Sequence, residues 1–187
     1  VRELATVGDK RACLYEVTAG RTGLVTLLNN LVASGKTITF TNSTVLRWSG
    51  IKNWVCPVDN RVPTYADCSS FVSWVFWTAY GLGEDKLNGQ TPPWSGGYTG
   101  TMATRGVQVS KATIVNGVKK PASYANAQPG DIVLYGPSPH VHVAIYIGNG
   151  KVANYGSTGP VKILPINYHS SIVEQIRSFI GSAATQF

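Results

Sequence analysis

Hydrophobic positions in the first forty residues recur at helical spacing. Four leucines share one face of segment 22–35: Leu24, Leu27, Leu28 and Leu31. Gly35 follows the last of them, where a glycine commonly ends a helix, so we predict an amphipathic helix over this segment. Residues 37–47 are rich in Thr, Val and Ile and alternate in polarity. This pattern predicts a strand or extended segment that leads into an irregular stretch up to Pro63.

A second helix is predicted from Asp67 to Gly81. Asp is a residue type that caps helix N-termini, and Gly81 is a stop signal. One face of the segment carries Phe71, Trp74, Val75 and Thr78. Residues 82–112, which include Trp94 and Tyr98, are rich in Gly, Pro and Thr. Long irregular segments either run over the surface without a defined role or form the wall of a binding groove, and we favour the groove.

The pattern changes to that of β-strands after Ala127. Five short apolar runs follow, at residues 132–135, 141–147, 151–155, 161–164 and 172–179. The turn Gly148-Asn149-Gly150 joins two of these runs, which predicts a hairpin. Helices first and a small antiparallel sheet last define an α+β fold.

The composition is that of one folded domain. A chain of 187 residues with 43% hydrophobic and 13% charged residues can bury a sizeable core, so we treat residues 1–187 as a single domain and expect a monomer. Apolar segments are interrupted every few positions by Ser, Thr or Gly. We therefore predict no membrane span, which needs roughly 18 apolar residues in a row.

The formal charge of +7 points to an acidic partner, such as nucleic acid, an anionic membrane or an anionic cell wall. Basic residues are scattered singly, and their longest run is Lys119-Lys120. This distribution argues against nucleic acid as a specific target. A cell-wall polymer stays a candidate partner, and solubility alone is the other explanation of the charge.

The chain contains three cysteines, Cys13, Cys56 and Cys68. In a secreted protein an odd number indicates one disulfide and one free thiol. The chain also carries a glycosylation sequon at Asn42, and it is rich in Ser, Thr, Asn and Tyr with a single Met. We therefore expect a secreted, extracellular protein.

Cys68 is the candidate nucleophile because it lies one residue past the predicted N-cap, Asp67. Unpaired N–H groups and the helix dipole favour a thiolate at a helix N-terminus and lower the thiol pKa. The same N–H groups, including that of Cys68, can stabilise the oxyanion formed by attack on a carbonyl. The alternative is a structural cysteine, or a disulfide with Cys13 or Cys56.

A cysteine nucleophile needs a base, and the histidines are His140, His142 and His169. We favour His142, because its position inside the predicted strand 141–147 fixes its direction. His140 is expected on the same face at the rim of the site, and His169 in a surface loop. Across the predicted hairpin, Asn154 can accept a hydrogen bond from the imidazole and hold its tautomer. Otherwise it is a polar residue near a turn.

Three ordered blocks resemble the signature of the NlpC/P60 cysteine peptidases. The blocks are Asp67-Cys68-Ser69-Ser70-Phe71-Val72, Gln128-Pro129-Gly130-Asp131-Ile132-Val133 and His142-Val143-Ala144-Ile145-Tyr146-Ile147-Gly148-Asn149-Gly150-Lys151. The resemblance spans about residues 64–160, which leaves residues 1–60 as an N-terminal extension and 61–187 as the catalytic core. It implies a papain-like α+β fold, with Cys68 on a helix that packs on a sheet carrying His142 and Asn154.

The resemblance also implies a peptidase that cleaves amide bonds in cell-wall peptides, commonly the bond from γ-D-glutamate to a diamino acid. In some members the neighbours of the nucleophile, here Asp67 and Ser69, help to bind the free amine of the peptide. Two features depart from the family: the usual Tyr-Val-Trp-Gly-Gly-like block is not recognisable upstream, and Ser70 replaces a common glycine. Tyr65 is a candidate to supply a hydroxyl in place of that block.

With Cys68 assigned to catalysis, we predict a disulfide between Cys13 and Cys56, both outside the resemblance. Our candidates for substrate binding are Asp67, Ser69, Tyr65, His140 and Trp94. No residues show metal-ligand spacing and thiol peptidases need no metal, so we predict neither a metal nor a cofactor. The expected partner is bacterial peptidoglycan or its muropeptides.

Two other functions fit parts of the sequence. The first is a CHAP-like amidase or endopeptidase, but its third residue is spaced differently from Asn154. The second is a catalytically inactive effector that binds cell wall, with Trp94 and Tyr98 stacking on sugars or peptides. The intact set of Cys68, His142 and Asn154 argues against an inactive protein.

Overall fold

A computed structural model of the chain describes residues 20–52, 61–80 and 98–179. Within these ranges the long helices come first and an antiparallel sheet comes last, which confirms the predicted α+β class. The predicted disulfide partners Cys13 and Cys56, and the predicted substrate-binding residue Trp94, lie outside the described residues.

The first predicted helix is confirmed as α1, Gly20–Ser34. Its four leucines are buried in the main core. Gly35 follows with φ of 62°, a left-handed conformation that glycine adopts without steric cost. Arg21, in the first turn of α1, lies 2.8 Å from a carboxylate oxygen of Asp131, so an ion pair joins this helix to the region just before the central strands.

The segment 37–47 is extended over only two residues, in contrast to the prediction. Strand β1 covers Thr39–Phe40. The hydroxyl of Ser43 then accepts hydrogen bonds from the backbone N–H groups of Val45 and Leu46, and the chain turns into a 3₁₀ helix. A Ser side chain that bonds the local backbone in this way competes with strand formation.

The helices among the described elements after β1 precede a run of eight strands. In chain order they are the 3₁₀ helix Leu46–Trp48, α2 Ser49–Lys52, β2 Tyr65–Ala66, α3 Cys68–Tyr80, α4 Thr99–Met102, β3 Val107–Lys111, β4 Thr113–Val115, β5 Val118–Lys120, β6 Ile132–Tyr135, β7 His142–Gly148, β8 Lys151–Asn154, β9 Lys162–Pro165 and β10 Val173–Ser178. Strands β6 to β10 confirm the five predicted runs.

The main sheet has the order β3-β10-β6-β7-β8-β9, and its neighbouring strands are antiparallel. Its edge strand β3 lies inside the segment 82–112, which was predicted to be irregular. Strands β4 and β5 form a separate hairpin that turns at Asn116-Gly117, where both residues have positive φ. The predicted β7–β8 hairpin is confirmed.

The central strands contribute to two cores, because side chains alternate across a sheet. One face packs with α1 and α3 and carries Ile132, Leu134, Val143, Ile145 and Ala153. The opposite face carries Val133, Tyr135, Ala144, Tyr146 and Val152. His142 and Asn154 follow the alternation of this second face. They lie where β7 begins and β8 ends, at the same end of the sheet.

Candidate active site

Cys68 is the first residue of α3, directly after a polar cap. The Asp67 carboxylate accepts a hydrogen bond of 2.7 Å from the N–H of Ser70, and the Ser70 hydroxyl accepts one of 2.9 Å from the N–H of Asp67. Such reciprocal bonding fixes the start of a helix. The thiol interacts with the backbone N–H of Val143 on β7, and with those of Ser69 and Cys68 itself.

Burial raises the pKa of the Cys68 thiol to about 11, and the negative charge of Asp67 adds to the rise. The three backbone N–H groups oppose this rise without overcoming it. The expectation of a lowered pKa is therefore reversed, because desolvation destabilises the thiolate by more than the N–H groups at the helix N-terminus stabilise it. Burial and Asp67 thus favour the protonated thiol.

Arg47 is a neighbour of the nucleophile that the sequence did not reveal. Its guanidinium lies 3.0 Å from Asp67 Oδ2 and 3.0 Å from Ser69 Oγ. The other oxygen of Asp67 accepts a hydrogen bond of 2.8 Å from Ser69. All three side chains are buried, and the Arg47 guanidinium also stacks over the Trp48 ring at 4.4 Å. The carboxylate beside the thiol is thus bonded inside the protein.

His142 and Asn154 are brought together by the β7–β8 hairpin. Their Nε2 and Oδ1 atoms lie 2.5 Å apart, and since the amide oxygen accepts, the imidazole Nε2–H donates. Nδ1 is then the ring nitrogen that can accept a proton. Gly156 packs against the other edge of the ring, where a Cβ would lie 3.1 Å from Cε1 of His142.

Burial lowers the pKa of His142 below its ordinary value. The hydrogen bond to Asn154 acts in the opposite direction, and a positive charge on His169 would lower the pKa further. Burial thus favours the neutral imidazole, which is the form that can accept a proton.

The loop between β9 and β10 places Tyr168 and His169 against the predicted base. The Tyr168 hydroxyl donates a hydrogen bond of 2.6 Å to Asn154 Oδ1. The His169 ring stacks on His142 with centroids 5.3 Å apart and planes 10° apart. The prediction of a surface-loop histidine was right about the loop and missed this stack. An aromatic-rich Tyr-His pair late in the chain was the available signal.

His140 belongs to a different hydrogen-bond network. Strand β7 begins only at His142, and His140 precedes it with φ of 69°, so it does not follow the strand alternation. Its ring bonds the Gly136 carbonyl at 2.7 Å and the Gln175 side chain on β10 at 3.0 Å. The expectation of a shared face with His142 does not hold, and a role of His140 in substrate binding stays a prediction.

The other predicted substrate-binding residues occupy varied positions. Tyr65 is half-buried on β2, two residues before Asp67. Asp67 and Ser69 flank Cys68, with their polar atoms bonded to Arg47. Among the residues described, no cluster of His, Cys, Asp and Glu has the arrangement of a metal site, and no helix has the length and apolar character for crossing a membrane.

Comparisons with known proteins point to one family. The sequence model described as the NlpC/P60 family matches residues 44–177. This range begins upstream of the segment that carried the sequence resemblance, and it includes Arg47. None of the curated proteins compared with the chain matches it.

Two solved structures with TM-scores of at least 0.50 show the same fold. The NlpC/p60 domain of the peptidoglycan hydrolase SagA is 17% identical, with a TM-score of 0.53 over 86% of this chain and 99% of that domain. NlpC2 from Trichomonas vaginalis is 15% identical, with a TM-score of 0.50 over 88% of this chain and 48% of that one. RipD from Mycobacterium tuberculosis, described as a non-catalytic NlpC/p60 domain protein, is 17% identical, with a TM-score of 0.42 over 84% and 98%.

Proposed function

Because the chain belongs to the NlpC/P60 family, we propose that it is a secreted cysteine peptidase that hydrolyses amide bonds in the peptides of bacterial peptidoglycan. The observation that carries the proposal is the bond from His142 Nε2 to Asn154, which leaves Nδ1 for the thiol at the start of α3. A net charge of +7 suits an acidic wall polymer. SagA, a structural neighbour, is described as a peptidoglycan hydrolase.

In the proposed reaction, the Cys68 sulfur attacks the carbonyl carbon of the scissile amide while His142 takes the thiol proton. The oxyanion is stabilised by backbone N–H groups at the start of α3. His142 then gives the proton to the leaving amine, and a thioester forms. Water, deprotonated by His142, attacks the thioester carbonyl, which releases the acid and restores the thiol.

We place the scissile bond between γ-D-glutamate and the diamino acid of the stem peptide, as the family resemblance implies. Digestion of purified peptidoglycan, followed by mass spectrometry of the soluble products, tests this assignment. The expected products carry a free amine on the diamino acid. Stem peptides released whole from the glycan would instead support the CHAP-like amidase.

Cys68→Ala is the decisive variant, and Thr113→Ala on the exposed β4–β5 hairpin is its matched control. We expect the first to release no muropeptides while it still binds insoluble peptidoglycan, and the second to match the native protein. Binding without release by the native protein would instead support the inactive wall-binding effector.

A further inference from the structure

The predicted catalytic base is held by more than Asn154. Asn154 Oδ1 receives two donors, His142 Nε2–H at 2.5 Å and the Tyr168 hydroxyl at 2.6 Å. A single hydrogen bond leaves an amide side chain free to swing about its χ angles, whereas a second donor at the same oxygen fixes where that oxygen lies. Tyr168 therefore fixes the Asn154 Oδ1 atom, and this atom in turn fixes the position of the His142 imidazole.

With a hydrogen bond at Nε2 alone, the His142 ring could still rotate about an axis through that nitrogen. His169 lies parallel to His142 at 5.3 Å and blocks that rotation. The His169 ring is itself fixed, because its Nδ1 accepts a hydrogen bond of 2.9 Å from the N–H of Ser171. Tyr135 packs on both imidazoles, at 5.7 Å from His142 and 5.2 Å from His169.

We propose that Tyr168 and His169 are positioning residues, which together hold the His142 imidazole with Nδ1 directed toward Cys68. The inference rests on the proposed function, since it concerns the base of that reaction. Catalytic groups must be held to within about 0.5 Å of their productive geometry by such supporting contacts. Two adjacent residues of one loop supply a hydrogen bond and a ring contact.

The side chains that pack on the His142 ring come from two elements. They are Tyr135 from β6, and Tyr168 and His169 from the β9–β10 loop. His169 acts on His142 through the stack of the two rings, with its own Nδ1 bonded to the Ser171 N–H.

The first test is Tyr168→Phe, which keeps the ring and removes the hydroxyl. We expect kcat on soluble muropeptides to fall about tenfold with KM within about twofold. In protein labelled with ¹⁵N-histidine, we expect the Nε2–H signal of His142 to weaken through faster exchange with water. Tyr124→Phe is the matched control, because Tyr124 is an exposed tyrosine that packs on Tyr146, and it should change neither quantity.

The second test compares His169→Phe with His169→Ala. The Phe variant keeps a flat ring against His142, so kcat should stay near native. The Ala variant loses the stack, so kcat should fall about fivefold with KM within about twofold. Thermal unfolding of each variant checks that it is folded.

Unchanged kcat and an unchanged Nε2–H signal in Tyr168→Phe would overturn the role of Tyr168, and native kcat in His169→Ala would overturn that of His169. The nuclear magnetic resonance readout needs no substrate. If the native protein cleaves no peptidoglycan but the signal still responds to Tyr168→Phe, the proposed function fails and the positioning stands. If Tyr168→Phe does not fold, the two His169 variants decide alone.

Discussion

The two sides of the candidate site differ in the charged groups that they contain. On the helix side, the thiol of Cys68 lies beside a buried ion pair between Asp67 and Arg47. On the sheet side, His142 is surrounded by the rings of Tyr135, Tyr168 and His169, with Asn154 as its hydrogen-bond partner. The carboxylate beside the thiol disfavours the negative charge of a thiolate. The amide beside the imidazole holds the ring by a hydrogen bond that does not require the imidazole to be protonated.

The difference indicates that this site rests as a neutral pair. Burial and Asp67 raise the pKa of Cys68 to about 11, while burial lowers that of His142. Both shifts favour thiol and imidazole over thiolate and imidazolium. In the proposed reaction, activation of the Cys68 thiol therefore depends on how well the sheet side places His142.

The largest effect on the free energy of unfolding is expected when one charge of the buried ion pair on the helix side is removed. Arg47→Met leaves the buried Asp67 carboxylate without its cation, which should lower the free energy of unfolding by about 3–5 kcal/mol. Urea denaturation measures the change. The matched control is Lys119→Met, which breaks a more exposed pair, that of Lys119 with the half-buried Glu174 (2.7 Å), and should cost about 0–1 kcal/mol.

A double variant sharpens this prediction. In Arg47→Met/Asp67→Asn no buried charge remains, so part of the lost stability should return. If the effects of the two single substitutions on the free energy of unfolding are simply additive, the two charges are not energetically coupled. The contrast drawn between the two sides of the site would then be wrong.

The sequence predicted the elements whose signals are local. Leucines at helical spacing, Asp67 before Cys68 and the Gly148-Asn149-Gly150 turn each specify nearby structure, and the structure has a helix, a helix start and a hairpin there. The Asn116-Gly117 turn was an equally local signal for β4 and β5, and it was overlooked.

Contacts distant in sequence were beyond such reasoning. Arg47 meets Asp67 across 20 positions, and Tyr168 meets Asn154 across 14. A lone Arg in an extended-looking segment and a tyrosine after a strand have many possible partners, and only the packed chain selects one. Desolvation of Cys68 is likewise a property of its surroundings, so the direction of its pKa shift could not be derived from its place on a helix.

The second prediction concerns the dependence of stability on pH. The folded thiol has a pKa of about 11 against an ordinary 9.0, so the unfolded chain loses its proton first as the pH rises. Stability from this group is complete below pH 9 and is lost between about 9 and 11, by about 3 kcal/mol. Cys68→Ala should lack this loss.

The comparison is made as the difference in unfolding free energy between native protein and Cys68→Ala across that pH range. Tyr135, Tyr155 and Tyr168 also have raised pKa values and are present in both proteins, so the effects of their own burial cancel. The charge of Cys68 adds to the shift of Tyr168, and this part is included in the difference. A difference that stays flat from pH 9 to 11 would mean that the thiol ionises at its ordinary value, and that the helix side activates it after all.

A smaller effect is expected on the sheet side from Asn154→Ala. Without the amide oxygen, the imidazole loses its fixed tautomer, and kcat should fall by about 10–100-fold while stability changes little. Asn167→Ala, on the nearby exposed loop, is the control and should keep kcat. Equal kcat values for the two variants would contradict the assignment of Asn154 as the orienting residue.

The smallest effect is expected from Gly156→Ala. The added Cβ would lie 3.1 Å from Cε1 of His142, closer than ordinary van der Waals contact, so the ring must move by a few tenths of an ångström. Because a displaced base transfers protons less efficiently, kcat should fall a few-fold with KM unchanged. Cys68 alkylation by iodoacetamide should slow in parallel, since the same imidazole removes the thiol proton. A variant with native kcat but slower alkylation would separate the two sides of the site, and would show that placement of His142 does not limit the reaction.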